Sequence, residues 1–163
     1  MKDDRKRLAQ CIAVDDFDQA IKFISNGIGD INSTDRSGAT LLMRAVVCND
    51  KLLVEKLIKM GADVNLVDDA KFNALHFASQ DGRCEIAMIL IKAGVDINAQ
   101  DEYGNSPLLR APSAATVEGK EMVELLLKNG ANALLKNNYD ISYENMLKHV
   151  AYTHLTLTTI STV

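Results

Sequence analysis

Apolar residues recur along this chain in short runs at helical spacing, separated by polar breaks and small turn-forming residues. Leu41 to Val47 is almost entirely apolar and follows Thr40. After the polar pair Asn49-Asp50, the residues Leu53, Val54, Leu57 and Ile58 fall on one side of a helix. Ile86, Ala87, Ile89, Leu90 and Ile91 form a second such set, and Met122, Val123, Leu125, Leu126 and Leu127 a third. Each set stops at a glycine (Gly61, Gly94 or Gly130), the residue that most cheaply takes the left-handed conformation just past a helix end. Thr40, Asn73 and Ser106 each precede a short apolar run, where a side-chain oxygen can accept the orphan N–H groups of a helix start. Pro107 then sits at a first helical position, where its missing N–H is harmless. The pattern predicts pairs of short helices.

The pairs repeat. Gly38 to Leu42 reads GATLL, Lys71 to Leu75 reads KFNAL and Gly104 to Leu108 reads GNSPL, each starting 33 residues after the last. GADVN at 61–65 and GVDIN at 94–98 are also 33 apart, and Gly130-Ala-Asn-Ala follows Gly94 by 36, marking a three-residue insertion. Gly27 to Asn32 is an earlier, imperfect copy, and Asp35, Asp68 and Asp101 keep the same period. Two short helices cannot bury their apolar faces alone. Stacking on like neighbours buries them in a continuous core.

Thr40-Leu-Leu-Met-Arg-Ala45, Asn73-Ala-Leu-His-Phe-Ala78 and Ser106-Pro-Leu-Leu-Arg-Ala111 follow the T-P-L-H-x-A signature of one repeat class. Over roughly residues 8 to 150 the chain resembles the ankyrin-repeat family. The resemblance implies an all-α solenoid of about five helix-pair units, three well formed and two degenerate caps, with projecting β-turns. The units fall near 5–34 (N-cap), 35–67, 68–100, 101–136 and 137–151 (C-cap), giving a repeat domain over 1–151 and a Thr-rich tail over 152–163. The sequence departs from the signature in places. Met43 and Leu109 replace the motif histidine that only His76 keeps, and Glu144 stands where a core Leu belongs. The closing segment, from Pro107 through the insertion and Glu121 to Gly130 into Lys136-Asn-Asn-Tyr139, also resembles short bacterial ankyrin proteins encoded beside toxins, which act as immunity proteins.

Bulk properties narrow the function. A length of 163 residues suits one domain. The net charge is -4, and the one dense basic run, Lys2 to Arg7, is interrupted by Asp3 and Asp4. A nucleic-acid binder normally shows a basic stripe, so nucleic acid is disfavoured as a partner. No apolar stretch approaches a membrane span, and the charged start leads into no secretory h-region. Cys11, Cys48 and Cys84 lack zinc-type spacing and read as free, buried or half-buried thiols of a reducing compartment. These observations point to a cytoplasmic protein, monomeric when free, with no membrane partner.

No constellation carries catalysis. His76 occupies the repeat's structural histidine position, and His149 and His154 lie five apart without a carboxylate motif. Asp96 to Asp101 lacks the central Gly and closing Glu of a calcium loop. The sequon at Asn32 has no secretory route. The expectation is no enzyme, no cofactor and no metal.

The resemblance instead implies binding of another protein through the turn tips and the concave face of the first helices. Tip candidates are Arg36, Ser37 and Ala39, then Asp69, Ala70 and Phe72, then Glu102, Tyr103 and Asn105. Phe72 and Tyr103 stand out as aromatics on tips expected to be exposed, since aromatics are enriched at binding hot spots. Arg44, Phe77 and Arg110 share one motif position and should align as a column. That column either suits an acidic and apolar partner or consists of Phe77 packed between helices and covered by arginines. Gln80 and Asp81 lie further along the same helix, at the positions of Val47 and Cys48. The segment Ala111 to Gly119 reads as a protruding loop, either a binding insertion or a tolerated one. Two functions fit. One is an inhibitor or immunity-type protein that occludes a partner such as a cognate toxin or effector. The other is a scaffold or adaptor bridging several partners, such as a regulator or bacterial effector.

Overall fold

The structure, a computed structural model, describes residues 2–112 and 116–147. Eight helices are defined: α1 (Lys2–Ala13), α2 (Phe17–Ser25), α3 (Leu41–Val47), α4 (Lys51–Lys59), α5 (Ala74–Gln80), α6 (Cys84–Lys92), α7 (Pro107–Arg110) and α8 (Val117–Lys128). Residues 143–147 are also helical. Among the described residues there is no strand, only an isolated antiparallel bridge between Thr34 and Thr40.

The helices pair as α1·α2, α3·α4, α5·α6 and α7·α8, and the pairs stack in two layers. One layer runs α1–α3–α5–α7 and the other α4–α6–α8. This is the all-α solenoid that the repeat pattern implies. One apolar cluster threads the stack, with Leu8, Ile12, Leu41, Leu42, Leu57, Leu75, Ile86, Leu90, Leu108, Met122 and Leu126 fully buried. Each such Leu or Ile contributes about 1.5–3 kcal/mol by leaving water. No single pair of helices could bury these side chains on both faces.

Local chemistry starts each first helix. Thr40, Asn73 and Ser106 cap α3, α5 and α7 by accepting the N–H of Met43, His76 and Leu109. The histidine substitutions have a visible consequence. The Asn73 N–H donates to Nδ1 of His76, whereas the Thr40 N–H meets the Met43 sulfur at 3.4 Å. A thioether is a weak acceptor, so that turn is held less firmly.

Two expectations are corrected. The segment from Ala111 does not protrude as a loop to Gly119. Thr116 caps α8, Gly119 is buried in its first turn, and α8 runs 12 residues against nine in α4 and α6. Much of the insertion is therefore absorbed as helix, at the expense of α7, which ends after four residues where Pro112 follows. Cys48 is exposed rather than buried, because it is the C-cap of α3. Residues 113–115 of the insertion, His149, His154, the end of the C-cap unit and the tail over 152–163 lie outside the described residues.

Candidate partner-binding face

The first three tips are each organised by one carboxylate. Asp35 accepts the N–H of Ser37 and Ala39, Asp68 those of Ala70 and Phe72, and Asp101 those of Tyr103 and Asn105, all at 2.8–3.1 Å. Asn137 repeats the arrangement with Tyr139 and Ile141, so a neutral amide oxygen serves in the last unit. The tips are then tied to each other. The N–H of Asp69 donates to the Ser37 carbonyl, that of Glu102 to Ala70, and that of Asn138 to Tyr103. Nested bonds of this kind hold the tips as one rigid strip, and rigid anchors lose less entropy on binding.

A second ladder joins the units behind the tips. The amide oxygens of Asn32, Asn65 and Asn98 accept the N–H of Asp63, Asp96 and Asn132 in the following unit. Asn65 and Asn98 also donate to the carbonyls of Gly94 and Gly130. Their spacing of 33 residues was the available signal for this role. Arg83 was not singled out by sequence either; its guanidinium donates to the carbonyls of Val46 and Val47, satisfying the end of α3 from the next unit.

Between the second and third tips, those of Asp68 and Asp101, the inner face carries an aromatic and cationic cluster. Phe72 folds back from its tip, its ring centroid 5.2 Å from those of both His76 and Phe77. The Arg110 guanidinium carbon lies 4.7 Å from the Phe72 centroid and 6.0 Å from that of Tyr103. The same guanidinium pairs with the Asp101 carboxylate, whose side chain is fully buried. Burial alone would raise the Asp101 pKa. The Asn105 N–H, Arg110 and the Tyr103 N–H outweigh it and hold the carboxyl below its ordinary value. His76 Nε2 lies 3.0 Å from the Asn105 carbonyl, and Nδ1 lies 2.7 Å from the Asn73 amide oxygen. Burial pushes the His76 pKa down, so the ring is neutral near pH 7.

The structure therefore sorts the candidates. Arg36, Asp69, Glu102, Gln80 and Asp81 are exposed, and Tyr103 is 45 % exposed on its tip. Ala39 is corrected: it is 5 % exposed and packs into the core, because the turn around Asp35 points its methyl inward. Phe72 is corrected as well, being half-buried against His76, Phe77 and Arg110 rather than a bare tip aromatic. Asn105 is half-buried and spent on the frame, bonding Asp101 and accepting from Asn137. In the column, Arg44 pairs with Asp15 at 2.8 Å and donates to the Ala13 carbonyl, while Arg110 is engaged as above. Both guanidiniums are internally neutralised, and Phe77 packs beneath Phe72. Asp81 pairs with Arg83.

His76 is fully buried and its ring nitrogens are engaged by Asn73 and Asn105. Among the described residues no group of three His, Cys, Asp or Glu side chains could hold a metal ion, and no helix is long and apolar enough to cross a membrane.

The family model for ankyrin repeats (3 copies) matches residues 7–101 and 42–137. Among curated relatives, the chain is similar to protein phosphatase 1 regulatory subunit 27 of Homo sapiens, with 33 % identity over 68 % of this chain and 69 % of that protein. It is also similar to the ankyrin repeat domain-containing protein SAT10 of Stachybotrys chartarum, with 36 % identity over 72 % of this chain and 6 % of that protein. The E3 ubiquitin-protein ligase Ufd4 of Drosophila melanogaster is 34 % identical over 77 % of this chain and 4 % of its own length. In these last two the chain spans a small fraction of a far longer protein.

Proposed function

This chain belongs to the ankyrin-repeat family, and from that premise we propose that it is a non-enzymatic module that occludes another protein, in the manner of an inhibitor or immunity-type protein. The units near 35–67, 68–100 and 101–136 form one binding strip, with caps near 5–34 and 137–151. The observation that carries the reading is the Phe72–Phe77–Tyr103–Arg110 cluster beside a line of tips locked to one another. A rigid, half-exposed aromatic patch ringed by polar tips has the composition of an interface centre. A regulatory subunit among the relatives is in keeping with a role that acts on a partner. The exposed contact residues of the proposal are Arg36, Asp69, Gln80, Asp81, Glu102 and Tyr103, with Phe72, Phe77 and Arg110 forming the half-buried floor.

The test is titration calorimetry against the partner recovered with the full chain. Tyr103→Ala should weaken binding about tenfold or more, as loss of an interface anchor does, with the melting temperature unchanged. Wild-type affinity in Tyr103→Ala and also in Arg36→Glu would remove the proposed face. Tight binding to a single partner supports occlusion; weak binding of several unrelated peptides supports the adaptor role instead.

A further inference from the structure

The chain is acidic overall, with 22 Asp and Glu against 18 Lys and Arg, yet one surface recess is lined by cations. Between α1 and the first tip lies a recess of about 750 Å³ lined by Lys6, Arg7, Ala9, Gln10, Ala13 and Arg36. Three of these six residues are cations and none is an acid. A second recess, lined by Asp15, Asp16, Asp18 and Asp50 with Phe17, Ile21, Leu53 and Lys56, carries four acids against one cation. The tip's own carboxylate, Asp35, is committed to backbone N–H groups and does not line the basic recess.

Arg44 and Arg110 are each bound to an aspartate within the fold, so neither offers its charge to a partner at full strength. Lys6 and Arg36 are exposed and make no such ion pair among the described residues. They come from different elements, a helix and a tip, and converge on one concavity beside the tip strip.

We propose that the recess between α1 and the first tip receives an acidic segment of the protein partner, with Lys6 and Arg36 contacting its carboxylates. The proposal rests on the protein-binding reading and adds the partner's chemistry and its orientation along the strip. Arg36 supplies a planar fork suited to a carboxylate, and Lys6 a mobile point charge. Gln10 adds an amide that can donate to a carboxylate or a peptide carbonyl. Because the two cations remain hydrated when free, their main effect falls on association rate and on salt dependence.

The experiment measures fluorescence anisotropy of a labelled decaglutamate peptide, with decaglutamine as its neutral counterpart, against the full chain. The expected result is binding of decaglutamate only, weakening several-fold as salt rises from about 50 to about 300 mM. Lys6→Glu with Arg36→Glu should weaken it about tenfold or more, and Lys6→Gln with Arg36→Gln, which adds no new charge, should weaken it by less. Lys59→Glu, on the last turn of α4, should leave it unchanged. Equal binding by the wild type and both double variants overturns the proposal. So does tighter binding of a DNA duplex, or of vesicles containing phosphatidylserine, through the same two residues, since that marks a general polyanion site. If the purified partner loses affinity with Tyr103→Ala but not with the double variants, the recess proposal fails while the protein-binding reading stands.

Discussion

Arg110 binds the buried carboxylate of Asp101 from nine residues away and at the same time lies over the ring of Phe72, 4.7 Å from its centroid. One side chain thus ties the fourth first-helix to its own tip and to the tip before it. Removing it would leave the buried Asp101 with only the backbone N–H groups of Tyr103 and Asn105 and a long contact to the Asn105 amide. Arg110→Ala should therefore cost about 1–3 kcal/mol, the usual penalty for stranding a buried acceptor of a charged bond. Urea unfolding should show the loss as a lower midpoint at unchanged slope. A midpoint equal to wild type would mean that the remaining donors, the two backbone N–H groups and the Asn105 amide, satisfy Asp101.

The same carboxylate should make the fold sensitive to acid. Its pKa in the folded chain is held below the ordinary value of 3.8. The stability it contributes is complete well above that value and is lost as pH falls through it toward the lower folded value. Asp101→Asn should be less stable than wild type at pH 7, and the gap should narrow below about pH 4 as the wild-type carboxyl protonates. Thermal melts of the two proteins between neutral and acid pH give the comparison. A gap of constant size would show that Asp101 does not titrate with unfolding.

His76 acts at milder pH. Burial depresses its pKa below the ordinary 6.5, outweighing the Asn105 carbonyl and the Asp101 charge that favour the proton. The folded state therefore resists a second ring proton that the unfolded chain accepts, and stability falls as pH drops below about 6.5. His76→Leu places in this unit the residue that Leu109 already supplies in the next. At pH 8 the variant should lose about 1–2 kcal/mol, since Asn73 and Asn105 lose partners. By pH 5 most of that deficit should disappear. A deficit that grows on acidification would contradict the assignment of a neutral ring.

Glycines at two positions should differ in what they tolerate. Gly94 has φ +87° with open space where a Cβ would stand, so Gly94→Ala meets only the conformational penalty of about 1–2 kcal/mol. A branched residue such as Val fits that conformation worse still. Gly104 has φ +77°, and an added Cβ would lie 2.6 Å from Asn138 Oδ1 and 2.8 Å from the Asn138 backbone nitrogen. Gly104→Ala must push two tips apart besides bearing the strain. Its melting temperature should fall clearly further than that of Gly94→Ala. Equal losses would mean that the tip contact yields at little cost.

Much of the frame was legible because it is written locally. The caps at Thr40, Asn73 and Ser106, the span Leu41–Val47 and the glycine stops all depend on residues within one turn of each other. The functional face was less legible because its side chains are decided by partners far along the chain. Arg44 is bound by Asp15, 29 residues earlier, and Phe72 is covered by Arg110 from the next unit. The motif column showed that Arg44, Phe77 and Arg110 align; it held no signal for which cations are already neutralised. Ala39 failed for a related reason, since the direction of a tip methyl follows from the turn that Asp35 closes.

Phe72 and Tyr103 separate folding from binding. Both are tip aromatics, but Phe72 is half-buried against two rings and a guanidinium, whereas Tyr103 is 45 % exposed. Phe72→Ala removes packed area against His76, Phe77 and Arg110. It should lower stability by about 2–4 kcal/mol, near the lower end of the range for buried Phe truncation. Any loss of partner affinity in that variant therefore mixes two causes. Arg44→Asp is compromised in the same way, because it sets a second carboxylate against Asp15. Tyr103→Ala loses little packing, so its melting temperature should match wild type while affinity drops about tenfold or more. Measuring both quantities on the three variants decides the point. If Tyr103→Ala melts early, or Phe72→Ala melts as wild type, the division between floor and contact residues is misplaced.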